Sequence, residues 1–209
     1  MPSRNIVKEF DVQSFYHIYS RGVAKQVIFV DAADKSQFLN IIARHLDAVD
    51  RSTKSDGQVY RKFDQDVELT CYCLMGNHFH LLVYQLDDRK SITELMRSVL
   101  TAYTMYFNRR HKRVGPLFES NYKSSRVVTQ SYLEHITRYI HLNPRTYKTY
   151  FYSSLKYYLG EKQPKWLRID RVADMFEGES YLEFLEDYED YKLMLDELKH
   201  ELADQRYIT

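Results

Sequence analysis

Val67-Glu68-Leu69-Thr70-Cys71-Tyr72-Cys73-Leu74 and His78-Phe79-His80-Leu81-Leu82-Val83-Tyr84, separated only by Met75-Gly76-Asn77, read as the two strands of a β-hairpin. Both stretches are rich in residues that suit a pleated, half-buried surface. Gly76 and Asn77 are the two residue types that tolerate positive φ most cheaply, so a tight turn is expected between the strands. Side chains alternate along a strand, which puts His78 and His80 on one face and Phe79 on the other. Two imidazoles at a strand start, beside a loop, suit a divalent metal that a substrate can reach, with a third ligand from elsewhere in the fold. A lone strand histidine is more often an ordinary hydrogen-bonded polar residue, so the pair needs support from the rest of the chain.

Upstream, Phe15-Tyr16-His17-Ile18-Tyr19-Ser20 reads as a first strand ended by Arg21-Gly22. From Asp31 onward Phe38, Ile41, Ile42 and Val49 recur at helical spacing, and the polar run 51–57 is a loop. Downstream, Ser91-Ile92-Thr93-Glu94 has the form of a capping box, followed by an apolar stripe of Ile92, Leu95, Met96, Val99, Tyr103 and Tyr106. After Gly115-Pro116, residues 122–128 read as a fourth strand. The order is βαββαβ, which predicts an α+β, ferredoxin-like core: a four-stranded antiparallel sheet with two helices on one face. A third helix over 130–142 is placed to cross the open face, ending where Pro144 disfavours α geometry at Asn143. Tyr139 and Asn143 stand four apart and share a helix face, with Tyr132 seven residues upstream on a similar one.

The chain has 209 residues and 44% apolar content, enough for one good core and a small appendage. It has no apolar run of membrane-spanning length and no secretion signal, so a cytoplasmic protein without membrane contact is expected. Cys71 and Cys73 alternate on one strand, poorly placed to bond to each other, and are expected to be buried thiols. From Glu161 onward fourteen Asp/Glu face seven Lys/Arg, leaving 23 basic and 15 acidic residues in the first 160. Arg109, Arg110, His111, Lys112, Arg113, Lys123 and Arg126 stand against only Glu119, with Phe118 and Tyr122 interleaved. Cations and planar side chains together suit single-stranded nucleic acid, through phosphate neutralisation and base stacking. A catalytic domain over 1–160 and an acidic helical appendage over 161–209 follow, the latter with a short helix near Val172-Met175-Phe176 and a longer one over 181–202. Packing of the appendage on the core is the plainest expectation. An acidic lid over the basic face and a dimerisation element are alternatives.

The motifs Met75-Gly76-Asn77-His78-Phe79-His80-Leu81-Leu82-Val83, Gly115-Pro116-Leu117-Phe118 and Arg138-Tyr139-Ile140-His141-Leu142-Asn143-Pro144, in that order, resemble the HUH single-tyrosine transposases. The branch most alike is that of the REP-associated tyrosine transposases. Tyr16-His17-Ile18, Arg21-Gly22 and Ile28-Phe29 add to the likeness, which spans about residues 15–160. It implies metal-dependent cleavage and rejoining of single-stranded DNA at hairpin-forming sequences through a 5′-phosphotyrosine. Carried over, Tyr139 is the nucleophile and His78, His80 and Asn143 hold the metal. Two imidazoles and an amide oxygen suit Mg2+ or Mn2+; the ligand types leave zinc open, although the four-ligand set of a structural zinc site is missing. Hairpin DNA would be the partner, met by a monomer or homodimer. Two departures stand out: Glu119-Ser120-Asn121 where relatives carry Gly-Arg, and Arg145-Thr146-Tyr147-Lys148 where they carry Val-Arg-Ala-Gly. Possession of all four site residues favours an enzyme over a non-catalytic nucleic-acid-binding regulator on the same fold.

Overall fold

Four strands form the sheet: β1 (Ser14–Arg21), β2 (Val67–Leu74) and β3 (His78–Gln85), which are largely buried, and β4 (Lys123–Val127), in which Val127 is buried and the other side chains are half-buried or exposed. The computed structural model describes residues 10–50, 52–53, 56–176 and 180–187. The sheet order is β2-β3-β1-β4, every neighbouring pair antiparallel. Helices α1 (Ala32–Leu46) and α2 (Ser91–Arg110) cover one face, completing the expected ferredoxin-like βαββαβ core. Ile18, Phe79, Leu81 and Val83 point into that layer, against Phe38, Ile41, Ile42, Met96, Val99 and Tyr103. Helix α3 (Gln130–Leu142) lies on the opposite face, where Ile136 and Ile140 meet Cys71, Cys73 and Leu82.

A β-bulge between Leu69 and Cys71 sets this division of labour. Leu69 pairs with Val83 and Cys71 with Leu82, so Thr70 is the extra residue, its hydroxyl donating to the Leu82 carbonyl at 3.0 Å. The one-residue slip swaps faces along the rest of the strand. Tyr72 and Leu74 then enter the α1/α2 layer and Cys71 and Cys73 the α3 layer, both thiols free and buried.

Local chemistry differs from expectation at four points. The Met75–Asn77 turn uses no positive φ; the Gly76 carbonyl instead accepts the amides of Ile28 and Phe29, and the Asn77 carbonyl that of Gly22. The capping box does not form: Ser91 is the first helical residue of α2, Asp88 takes the Lys90 amide and the Ser91 hydroxyl, and Gln85 takes the Ile92 amide. Glu94 pairs with Arg61. Val49 lies beyond the end of α1 and is exposed. Asn143 keeps right-handed helical angles (φ −58°, ψ −42°) before Pro144, because its side chain is engaged with the sheet and outweighs the steric preference of a pre-proline residue.

Beyond α3 the chain runs along the free edge of β2. The Leu74 amide donates to the Tyr152 carbonyl, the Ser154 amide to Tyr72, and the Arg168 amide to Leu69, so the edge is covered rather than left open. Three short helices follow, α4 (Leu155–Tyr158), α5 (Asp170–Ala173) and α6 (Tyr181–Glu186). Leu155, Val172, Phe176, Tyr181 and Leu185 are buried together with Leu133, Ile136 and Ile140 of α3. In the described part of the acidic appendage Leu167 and Ile169 therefore join the core beside β2, and Val172, Phe176, Tyr181 and Leu185 pack behind α3; the remainder of the helix expected to Leu202 lies outside the described residues. Among the described residues no helix is long and apolar enough to cross a membrane.

Candidate active site

His78 opens β3 and His80 follows two residues later on the α3-facing side, as the alternation requires. The helix brings its own pair to them. Tyr139 stands edge-on to His80 at 5.2 Å between ring centroids and edge-on to His17 at 6.2 Å. One turn later, Asn143 Oδ1 lies 3.2 Å from His78 Nε2, and the Asn143 side chain also hydrogen-bonds Tyr139. The four residues singled out in the sequence thus converge at one end of the sheet. Tyr132 lies outside the cavity lined by His78, His80 and Tyr139 and packs in the apolar layer behind α3.

The donor set fits a divalent cation. His80 is buried, its Nδ1 sits 2.9 Å from His17 Nε2, and its Nε2 has no hydrogen-bond partner. Burial first, then the positive potential of His17, His78 and Arg21, pushes its pKa well below 6.5. His78 is likewise lowered by burial, so both rings are neutral near pH 7 with a lone pair to offer. Neutral His78 carries one N–H but faces two amide oxygens, Asn77 Oδ1 at 2.7 Å from Nδ1 and Asn143 Oδ1 at 3.2 Å from Nε2. With the proton on Nδ1, Nε2 and Asn143 Oδ1 confront each other as two lone pairs, an arrangement that a cation satisfies. Among the described residues no group of three or more His, Cys, Asp or Glu could hold a metal, so the amide is needed to complete the set.

A cavity of about 500 Å³ opens beside these groups, lined by Tyr19, Arg21, Lys25, Glu119, Ser120 and Lys123 as well as His78, His80 and Tyr139. Burial raises the Tyr139 pKa above 10, opposed by its hydrogen bond to Asn143 and by the charge of Arg21. Of the six cations proposed from sequence for DNA, Lys123 lines the cavity. Arg109 and Lys112 are exposed at the end of α2. Arg110 is engaged with Asp31 and Asp34, Arg126 with Asp11, and Arg113 with Asn108, Gln26 and the Pro116 carbonyl.

Sequence reasoning passed over three residues as site members: His17, Arg21 and Lys25. All are on or just after β1, and their proximity follows from β1 pairing with β3, where Tyr19 is opposite His80 and Arg21 opposite His78. The available signal was the alternation of His17, Tyr19 and Arg21 on one face of a strand already recognised. The two lesser motifs also meet. Gly22 pairs with Phe118, and the Leu117 carbonyl accepts the Val23 amide and the Gln26 side chain, so Arg21-Gly22 and the segment 115–118 are joined next to the cavity-lining Arg21, Lys25 and Glu119.

Behind the site, His141 Nδ1 lies 2.6 Å from the Tyr181 hydroxyl and its Nε2 2.8 Å from Ser154 Oγ, wholly buried. The Arg138 guanidinium sits 3.9 Å from the Phe184 ring centroid and donates to the Asp187 carbonyl at 3.3 Å. Tyr139 is thus carried on a helix fastened on its rear by residues of the appendage.

Residues 58–143 match the family model described as IS200-like transposase. The fold is similar to that of a REP-associated tyrosine transposase solved bound to a REP hairpin, with a TM-score of 0.55 at 8% identity over 80% of this chain and 92% of that one. A candidate transposase from Deinococcus radiodurans R1 aligns at a TM-score of 0.39 and 16% identity, over 67% of this chain and 95% of that one. No curated protein matches. The hairpin that bears His78 and His80 and the helix that bears Tyr139 and Asn143 both fall inside the segment that matches the IS200-like transposase model.

Proposed function

We propose that this chain cleaves and rejoins single-stranded DNA at hairpin-forming sequences, with Tyr139 as nucleophile. The observation that carries this reading is the placement of Tyr139 and Asn143 on one helix turn, the first against His80 and the second against His78, with Tyr139 at the wall of a cavity that Arg21, Lys25 and Lys123 also line. The relative of similar fold was solved with a REP hairpin, which supports hairpin DNA as the partner.

His78, His80 and Asn143 would hold Mg2+ or Mn2+, which when bound polarises a phosphoryl oxygen and orients the phosphate. The chain's own residues do the rest. Arg21, Lys25 and Lys123 attract and neutralise the DNA backbone around the scissile phosphate. A phenol is a weak nucleophile at neutral pH, and burial makes Tyr139 weaker still; Arg21 and the Asn143 hydrogen bond favour its phenolate. Tyr139 Oη then bonds to phosphorus, the bond from phosphorus to the 3′-oxygen breaks, and the phenolic proton is replaced on that oxygen to give a free 3′-hydroxyl. Attack by a 3′-hydroxyl on the resulting 5′-phosphotyrosine reverses the exchange without ATP. All four groups belong to one chain, so a monomer can carry a whole site, and residues 1–160 supply its chemistry.

The test is a denaturant-resistant adduct between the protein and labelled single-stranded hairpin oligonucleotides in Mn2+, with Tyr139→Phe in parallel. An adduct present in the wild type and lost in Tyr139→Phe is expected. Persistence in the variant moves the nucleophile elsewhere, and binding without any adduct favours a regulator on the same fold.

A further inference from the structure

We infer that His17 is the positioning residue that fixes the ring orientation and tautomer of His80, acting as its buried hydrogen-bond acceptor. The inference rests on the metal-site reading above and extends it to a residue outside the set of four. His17 Nε2 and His80 Nδ1 are 2.9 Å apart, and the rings lie nearly parallel, 20° between planes with centroids 5.1 Å apart. His17 is 3% exposed and His80 5%, so water does not compete for this contact.

The two rings offer one hydrogen between the facing nitrogens. If His17 donated it, His80 would carry its own proton on Nε2, where no partner exists, leaving a buried N–H unsatisfied. If His80 donates from Nδ1, the lone pair of the otherwise unpartnered Nε2 is left free to coordinate. The His80 ring is then fully satisfied once a cation binds. His78 shows the same design with a different partner, its Nδ1 on Asn77 Oδ1 and its Nε2 toward Asn143. Metal-binding histidines characteristically give their second N–H to an outer acceptor, and loss of that acceptor typically weakens the metal by about 10–100-fold. The acceptor here is an imidazole delivered by the neighbouring strand. His17 is two residues before Tyr19, which pairs with His80, so its side chain reaches His80 diagonally across the sheet.

Mn2+ binding to the full chain, followed by titration calorimetry and by the electron paramagnetic resonance signal of free Mn2+, tests this without DNA. His17→Phe keeps the ring and removes the acceptor, and should raise the Mn2+ dissociation constant about 10–100-fold. His17→Gln restores an acceptor oxygen and should recover most of the affinity. At saturating Mn2+ the His17→Phe adduct rate should return to within a few-fold of wild type, separating positioning from chemistry. Long-range nitrogen–proton NMR of the metal-free wild type reads the tautomer directly and holds even if a variant fails to fold: the His80 proton belongs on Nδ1. Wild-type Mn2+ affinity in His17→Phe, or a proton on His80 Nε2, overturns the inference while leaving the metal site intact. Absence of Mn2+ binding by the wild type overturns the metal site itself, and this inference with it.

Discussion

Gly22→Ala is a sharp test of how the chain turns between the cavity-lining Arg21 and Lys25. Gly22 has ordinary extended angles (φ −62°, ψ 142°), so glycine is not needed there for backbone freedom. It is needed for space. A Cβ at this position would lie 2.2 Å from the Gln26 carbonyl oxygen and 2.8 Å from Ile28 Cγ2. The obstruction is backbone, held by the Gln26 amide on Val23 and by the Lys25 amide on Gly22 itself, at 3.0 and 2.9 Å. Moving the carbonyl out to 3.0 Å requires a shift of about 0.8 Å, which overpacking data value at about 1–3 kcal/mol. Breaking one or both turn bonds adds about 1 kcal/mol each. A loss of about 3 kcal/mol is expected, read as a lower urea midpoint at unchanged slope, a large share of the total stability of an ordinary domain. Because Gln26 also bridges Leu117 and Arg113, DNA affinity should fall with it. Gly76→Ala, where a Cβ meets nothing within 4 Å, is the matched control and should stay within about 0.5 kcal/mol. Equal stability of Gly22→Ala and wild type would refute the steric account.

Acid should weaken the fold well above the carboxylate range. Burial pushes the His141 pKa down from 6.5 to about 3, and burial also lowers that of His45. The unfolded chain takes up these protons near pH 6.5 and the folded chain does not. The stabilisation is therefore complete above about pH 7 and declines as pH falls, by about 1.4 kcal/mol per pH unit for His141 down to about pH 3. Denaturation midpoints in chelator-containing buffer that stay flat between pH 7 and 5 would contradict this. At the start of α2, Asp88→Ala should cost about 1 kcal/mol because it strips the Lys90 amide and Ser91 hydroxyl of their acceptor. Ser91→Ala should cost less, and a larger loss there than at Asp88 would restore Ser91 as the cap.

The parts of the architecture set by short-range periodicity were readable in advance. Period two put His78 and His80 on one face, and the spacing of Tyr139 and Asn143 put them on one helix turn, so the four-residue cluster needed only the helix to cross the sheet. What escaped depended on non-local geometry. The Thr70 bulge leaves no mark in a run that is apolar on both faces, yet it decides which side Cys71 and Tyr72 occupy. His17 joins the site only because β1 lies between β3 and β4. The cations at 109–126 looked like one cluster in sequence, but a helix end and a loop spread them apart, and Asp31, Asp34 and Asp11 claim Arg110 and Arg126. A capping box at Ser91 competed with an aspartate three residues earlier, which the tertiary fold preferred.

Tyr139 and Asn143 ride on the same rigid cylinder, whose rear is clamped by Tyr181, Leu185 and Phe176. A small rotation of α3 would therefore displace the proposed nucleophile and the proposed amide ligand together, as two points on one lever. Substitutions in the distant appendage that let the helix tilt should degrade cation affinity and phosphate attack in proportion. Substitutions within β1 or β3 can separate the two. On the proposed reading the appendage is the bearing on which both functions turn, and its contribution is measured by whether those two losses stay correlated.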